Sequence, residues 1–155
     1  MRVCYATSMT SLSYLTAVVL FVIAALHFLW GVGVYWPIAG ETDLARAVVG
    51  AKGITRMPSF AACLFVTLAL MAGVVIVLRL GGVIAPRFIP LILFQIAGAG
   101  FAFVLLSRGI VGFLPFWAEA TPEQPFRRLD KQFYSPLCIA LGLAVAWLVL
   151  RAKSL

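Results

Sequence analysis

Four stretches of this chain stay apolar for longer than a soluble fold requires: residues 12–36, 59–78, 88–106 and 133–150. A helix needs about 20 mostly apolar residues to cross a hydrocarbon core about 30 Å thick. Inside that core every backbone N–H and C=O must find its partner within the protein, which a helix achieves by itself. The fold class that follows is all-α. It is a four-helix transmembrane bundle forming a single integral membrane domain over residues 1–155, with short interfacial helices in the first and third loops. Composition agrees: 64% of residues are hydrophobic, 11% are charged, and the mean hydropathy is +1.11. Soluble domains sit near half apolar and a quarter charged. The formal charge of +7 points to lipid headgroups and span orientation rather than nucleic acid, because the basic residues cluster in short segments between apolar runs.

The first run is too long for the apolar core of a signal peptide, about 7–15 residues, so it reads as a retained helix. Tyr35 and Trp36 suit the headgroup region, and Pro37 ends the helix there. Residues 37–58 then carry Glu41, Asp43, Arg46, Lys52 and Arg56, and residues 42–49 suit a short interfacial helix. Pro58 opens the second span, where a missing N–H costs little. Gln95 is the one strongly polar side chain inside the third span. Ser107-Arg108-Gly109 reads as the end of that span, leaving residues 110–117 along the interface. The most polar segment, 118–133, holds Glu119, Glu123, Arg127, Arg128, Asp130 and Lys131.

Four spans place both termini on one membrane face, the terminal face, and the two longer loops on the other, the loop face. Arg2, Arg79, Arg87, Arg151 and Lys153 fall on the compact terminal face, while Arg46, Lys52, Arg56, Arg108, Arg127, Arg128 and Lys131 fall on the loop face together with every acidic residue. The count of Lys and Arg does not orient the chain by itself; their greater density on the compact terminal side favours cytoplasmic termini, in a multi-pass protein of the bacterial inner membrane. Small residues four apart, Ala69/Gly73, Gly98/Ala102 and Gly142/Ala146, suit close helix packing or contacts between copies. Cys63 and Cys138 come to similar depth, where free thiols and a disulfide are both geometrically open.

His27, the single histidine, lies nine residues before Trp36, or about 13 Å along a helix that reaches Trp36. That puts it near mid-bilayer, at a depth comparable to Gln95. An unpaired polar group is costly there, so a contact between the two is expected. Topology brings Arg56, Arg127, Arg128, Asp130 and Tyr134 to the end of the bundle where the first span exits. The ligand-binding candidates are therefore His27, Trp30, Gln95, Arg56, Arg127, Arg128, Asp130 and Tyr134. They outline a cavity with His27 and Gln95 as its floor, Trp30 and Tyr134 as its wall, and the charged residues as its rim. Such a cavity suits an amphipathic ligand with an apolar tail and a polar or anionic head. The bland alternatives are a histidine that ties two helices together and arginines that anchor the chain at the headgroups.

The cysteines have no CxxC spacing, and the chain has no HExxH, P-loop or GxSxG, so no metal site and no cofactor is predicted. A haem held by two histidines would require two copies of the chain. Two functional readings follow. One is a lipid- or amphiphile-binding or accessory protein, its partners being membrane lipid and a second copy or another membrane protein. The other is a small membrane enzyme acting on a lipid-soluble substrate, with His27 in proton transfer.

Leu26-His27-Phe28-Leu29-Trp30-Gly31 with Trp36-Pro37, Arg56-Met57-Pro58, and Arg128-Leu129-Asp130 followed by Phe133-Tyr134-Ser135-Pro136-Leu137-Cys138 resemble a family of uncharacterised small bacterial four-span integral membrane proteins. The resemblance covers almost the whole chain. It implies a four-helix membrane fold and carries no activity with it.

Overall fold

The computed structural model describes residues 2–84, 86 and 88–152, with side chains from residue 9 onward. Its described elements are all helical: α1 (Arg2–Gly31), α2 (Glu41–Val48), α3 (Phe60–Leu80), α4 (Leu91–Val111), α5 (Pro115–Ala120), α6 (Phe126–Leu129) and α7 (Ser135–Arg151). A π-helical turn, Asp130–Tyr134, joins α6 to α7. Four helical segments are long and apolar enough to cross a membrane: Met9–Gly31, Phe60–Leu80, Leu91–Val111 and Phe126–Arg151. Large side chains such as Phe65, Phe103 and Leu150 lie more than two-thirds exposed on their outer surfaces, an arrangement that lipid tolerates and water does not.

The bundle is two antiparallel hairpins laid side by side, α1 against α3 and α4 against α7. Leu20, Leu70, Val77, Phe94, Ala102, Leu105, Val145 and Leu148 fill the space between them. In the first hairpin the fully buried Ser13 donates its hydroxyl hydrogen to the Val77 carbonyl at 2.7 Å. In the second, small residues let the backbones close: a Cβ on Gly109 would stand 2.8 Å from the Ser135 carbonyl, and one on Gly142 would stand 3.1 Å from the Leu106 nitrogen. The small-residue spacing thus serves contacts within the chain. Cys63 and Cys138 are free thiols, while the side chain of Cys4 and all of Arg87 and Lys153 fall outside the described residues.

Three helix ends differ from the sequence expectation, each for a local reason. The first helix stops at Gly31 rather than Trp36, because Gly33 takes φ +84° and the Val34 N–H turns back to the Leu29 carbonyl. A glycine in the left-handed region ends a helix whatever the hydropathy of the residues after it. The third helix runs on through Ser107-Arg108-Gly109 to Val111. Arg108 stays within the helix because its charge is paired (below), and Gly109 serves close packing rather than termination. The fourth crossing begins at Phe126, before the residues expected to precede it, with Asp130 and Lys131 inside the helical run.

The π turn follows from Pro136. In a regular helix its ring would collide with the carbonyl four residues back, at Gln132, and would remove one hydrogen bond. Widening the preceding turn, so that the Ser135 N–H reaches the Asp130 carbonyl, relieves both problems without breaking the helix.

Candidate functional site

The charged loop segments fold onto one another over the loop face. α2 is strongly amphipathic, and its Leu44, Ala45 and Ala47 are fully buried, while Glu41 and Asp43 occupy its first turn, the favoured end for negative charge. From the third loop, Glu123 accepts a hydrogen bond from the Gly53 N–H at 2.9 Å, and its own N–H reaches the Gly50 carbonyl. Phe126, almost wholly buried, lies against Gly50, and the Tyr134 hydroxyl donates to the Ala47 carbonyl at 3.2 Å. Helix α2 is therefore clasped from below by the residues that lead into the fourth crossing.

Beneath this clasp lies Asp130, with no exposed surface. Its Oδ1 accepts from Arg108 Nη2 at 2.7 Å and from the Ser135 hydroxyl at 3.0 Å. Its Oδ2 accepts from Trp117 Nε1 at 3.0 Å and has Arg127 Nη1 at 3.9 Å. Arg108 also donates to the Ser135 hydroxyl at 3.3 Å, and its guanidinium carbon stands 5.1 Å from the centre of the Trp117 ring. Arg127 donates to the Gly112 carbonyl at 2.8 Å.

Each contact depends on the local fold. Residues five apart stand about 140° apart around an ideal helix; the π turn brings Asp130 and Ser135 onto one side. Gly112 leaves the room they occupy, since a Cβ there would overlap the Ser135 hydroxyl and stand 3.0 Å from Asp130 Oδ2. Helix α5 aims the indole N–H of Trp117. Burying a carboxylate is costly unless it is paired and hydrogen-bonded; here both oxygens are occupied. Asp130 is therefore fully engaged as an acceptor and is not arranged as a proton-abstracting base. Two guanidinium groups around one carboxylate leave a positive surplus at the bilayer entry, and the Arg108 side chain remains 31% exposed.

The structure brings together some of the sequence candidates and separates others. Asp130, Arg127 and Tyr134 converge as described. Arg128 and Arg56 lie exposed on the same loop face. His27 and Trp30 neighbour each other in the last turns of α1, with ring centres 5.0 Å apart. His27 Nδ1 donates to the Ile23 carbonyl at 2.8 Å, and Trp30 Nε1 donates to the Trp36 carbonyl at 2.8 Å, closing the turn after the helix. Because α1 ends at Gly31, His27 sits about 6 Å from the helix end rather than near mid-span.

The expected contact between His27 and Gln95 does not form. Gln95 stands in the second turn of α4, which starts at the terminal face, and its amide donates to the carbonyls of Val149 and Ala152 at 3.4 and 3.2 Å. The two residues stand at opposite ends of the bundle, so they share no cavity floor. Gln95 instead satisfies the free carbonyls at the end of α7. Gln95→Leu should lower stability by about 0.5–1.5 kcal/mol, the usual range for a polar contact between membrane helices, read by thermal unfolding in mild detergent.

Arg108, Trp117 and Ser135 are the partners that the sequence reading missed. Their separations from Asp130 along the chain follow no helical period, and Arg108 reads as a span terminator when its partner is unknown. One signal was present in Ser135-Pro136, where a proline inside an apolar run announces an altered turn just upstream.

A family model described as a protein of unknown function (DUF3995) matches residues 20–145. The chain belongs to this family. The match spans His27, the clasp and the whole Asp130 cluster, so the cluster lies within the family's own region. No curated protein and no solved structure matches the chain. This DUF3995 protein is a multi-pass, four-helix transmembrane protein of unknown function.

Proposed function

We propose that the protein is a non-catalytic binding or accessory component of the membrane, holding an anionic amphiphile at its loop face. The observation that carries this reading is the unequal pairing in the cluster: two guanidiniums, one partly exposed, share one buried carboxylate. Arg56 and Arg128 add exposed positive charge on the same face, and Trp117 supplies an aromatic wall. An acidic headgroup at this height would meet charge-assisted hydrogen bonds while its chains remain in the bilayer. The partners in this reading are membrane lipid and a second copy or another membrane protein. The cellular setting in this reading is the bacterial inner membrane with cytoplasmic termini, supported by the denser Lys and Arg on the compact terminal side.

Native mass spectrometry from gentle detergent tests it. The wild type should retain an acidic lipid or a protein partner, and the Arg56→Gln/Arg128→Gln double variant should retain several-fold less. Wild type that carries neither, and binds neither when offered, overturns the reading.

A second reading is a membrane enzyme acting on a lipid-soluble substrate. Its support is the His27 ring: donation from Nδ1 to Ile23 fixes the tautomer and leaves the Nε2 lone pair available to accept a proton. A His27→Ala protein that folds and sustains full cellular function eliminates this reading.

A further inference from the structure

We propose that α2 is a strap that holds the two hairpins together at the loop face, and that its release opens the seam between them at that end. The device is independent of both functional readings above.

The seam is packed unevenly along its length. One face of α1 carries Ala17, Leu20, Ala24, His27 and Gly31, and one face of α7 carries Cys138, Leu141, Val145 and Leu148, each by steps of three and four. Ala17, Leu20, Ala24, Leu141, Val145 and Leu148 belong to one core, none of them more than 7% exposed. Nearer the loop face the same two stripes lose their cover, and His27, Gly31 and Cys138 are only part-buried. The close approaches between the hairpins lie at mid-span and toward the terminal face, where the Phe101 ring stands against Gly73, and Leu80 and Ile76 stand against Gly98.

At the loop end the hairpins are joined instead through their connecting segments. α2 and its loop belong to the first hairpin, and the residues from Gly112 to Tyr134 belong to the second, so every tie between the two segments crosses the seam. Glu123 supplies several of these ties. Its carboxylate accepts from the Gly53 N–H at 2.9 Å and pairs with Arg46 at 3.8 Å, while its own N–H reaches the Gly50 carbonyl. The Lys52 N–H donates to the Ala120 carbonyl at 3.3 Å, and the Tyr134 hydroxyl donates to the Ala47 carbonyl at 3.2 Å. Phe126 adds an apolar clamp against Gly50.

These ties differ in kind from the core. Hydrogen bonds and an ion pair at an exposed surface each contribute little, because water competes for the same groups. Helix α2 adds one large buried side chain, Leu44, and two buried methyl groups, Ala45 and Ala47. A segment held this way opens at a lower cost than the packed helices do. Each hairpin keeps its own close packing, so release of the strap leaves two rigid bodies that pivot about the contacts toward the terminal face. His27 and Cys138 mark the height at which the seam parts.

The test uses the full chain in phosphatidylcholine nanodiscs with N-ethylmaleimide as the probe, each thiol being read separately by peptide mass spectrometry. Cys63 is the internal control, since it is buried inside the first hairpin against Gly31, where parting of the hairpins does not reach. Glu123→Ala removes the carboxylate ties and should raise the rate at Cys138 several-fold, with Cys63 as slow as in wild type. Tyr134→Phe should act in the same direction. Glu119→Ala, at an exposed acid of the same loop that makes none of these ties, should react as wild type does. In a variant without the native cysteines, spin labels at the exposed positions Phe28 and Ile110 report the distance between hairpins near the loop end, and labels at Leu15 and Ile96 report it toward the terminal face. Glu123→Ala should lengthen and broaden the first distance and leave the second as it is in wild type. A Cys138 rate that Glu123→Ala does not raise, an equal rise at Cys63, an unchanged loop-end distance, or two distances that change together overturns the strap.

Discussion

Asp130→Asn should destabilise the protein by about 3 kcal/mol, with Asp130→Ala at least as severe. Removing one partner of a buried ion pair typically costs about 3–5 kcal/mol, because the remaining charge stays buried without compensation. Here two cations lose their carboxylate together. The lower end applies because the Arg108 side chain, 31% exposed, can move toward the headgroups, whereas Arg127, 13% exposed, has less freedom. Asparagine can still accept from Trp117 or Ser135, so the difference between the two substitutions isolates the charge from the hydrogen bonds. Replacing both members, as in Asp130→Leu with Arg108→Met, should recover part of the loss, since an apolar pair of similar volume often substitutes for a buried ion pair. Thermal and SDS-induced unfolding in mild detergent measure these differences. An Asp130→Asn protein that melts with the wild type would show that the cluster contributes nothing to the fold.

The clasp over the loop face makes the second large prediction. Gly50 has φ +69°, and a Cβ there would run into the Phe126 ring. Gly50→Ala therefore combines left-handed backbone strain with overpacking, about 2–4 kcal/mol in all. Gly53 provides the comparison within the same loop. It has φ +70° but open space where its Cβ would go, so Gly53→Ala should show the backbone term alone, about 1 kcal/mol. Limited proteolysis of residues 37–58 is the direct readout. Cleavage should accelerate sharply in Gly50→Ala and little in Gly53→Ala, because only the first displaces Phe126 and loosens the Tyr134 contact to Ala47 that holds α2. Equal cleavage in the two variants would mean that Phe126 does not hold the loop.

Much of the architecture was legible in the sequence for one reason. Transfer of a long apolar stretch into lipid depends on the residues of that stretch alone, so four such runs specify four crossings. The amphipathic α2 was legible on the same basis, its period being local. The candidate site was legible only as a meeting of loop charges. Arg127, Asp130 and Tyr134 do converge, because antiparallel topology leaves them no other end of the bundle. What the sequence misplaced was depth. Gly33 ended the first helix five residues before Trp36 and carried His27 toward the loop face. The extension of α4 to Val111 left Gln95 near the helix start, on the terminal side.

The sequence by itself determined a membrane-embedded helical bundle, its number of crossings and the face on which its acids gather, because those follow from local hydropathy and chain order. Tertiary structure alone decided which charges enter the bundle. Arg108 and Asp130 are 22 residues apart, and each alone marks the end of a span. Together, with Ser135 turned toward them by the π turn and room left by Gly112, they neutralise one another well enough for Asp130 to be fully buried and Arg108 to stay within its helix. Whether a charge can be buried depends on its partners in space, and a linear chain does not state those partners.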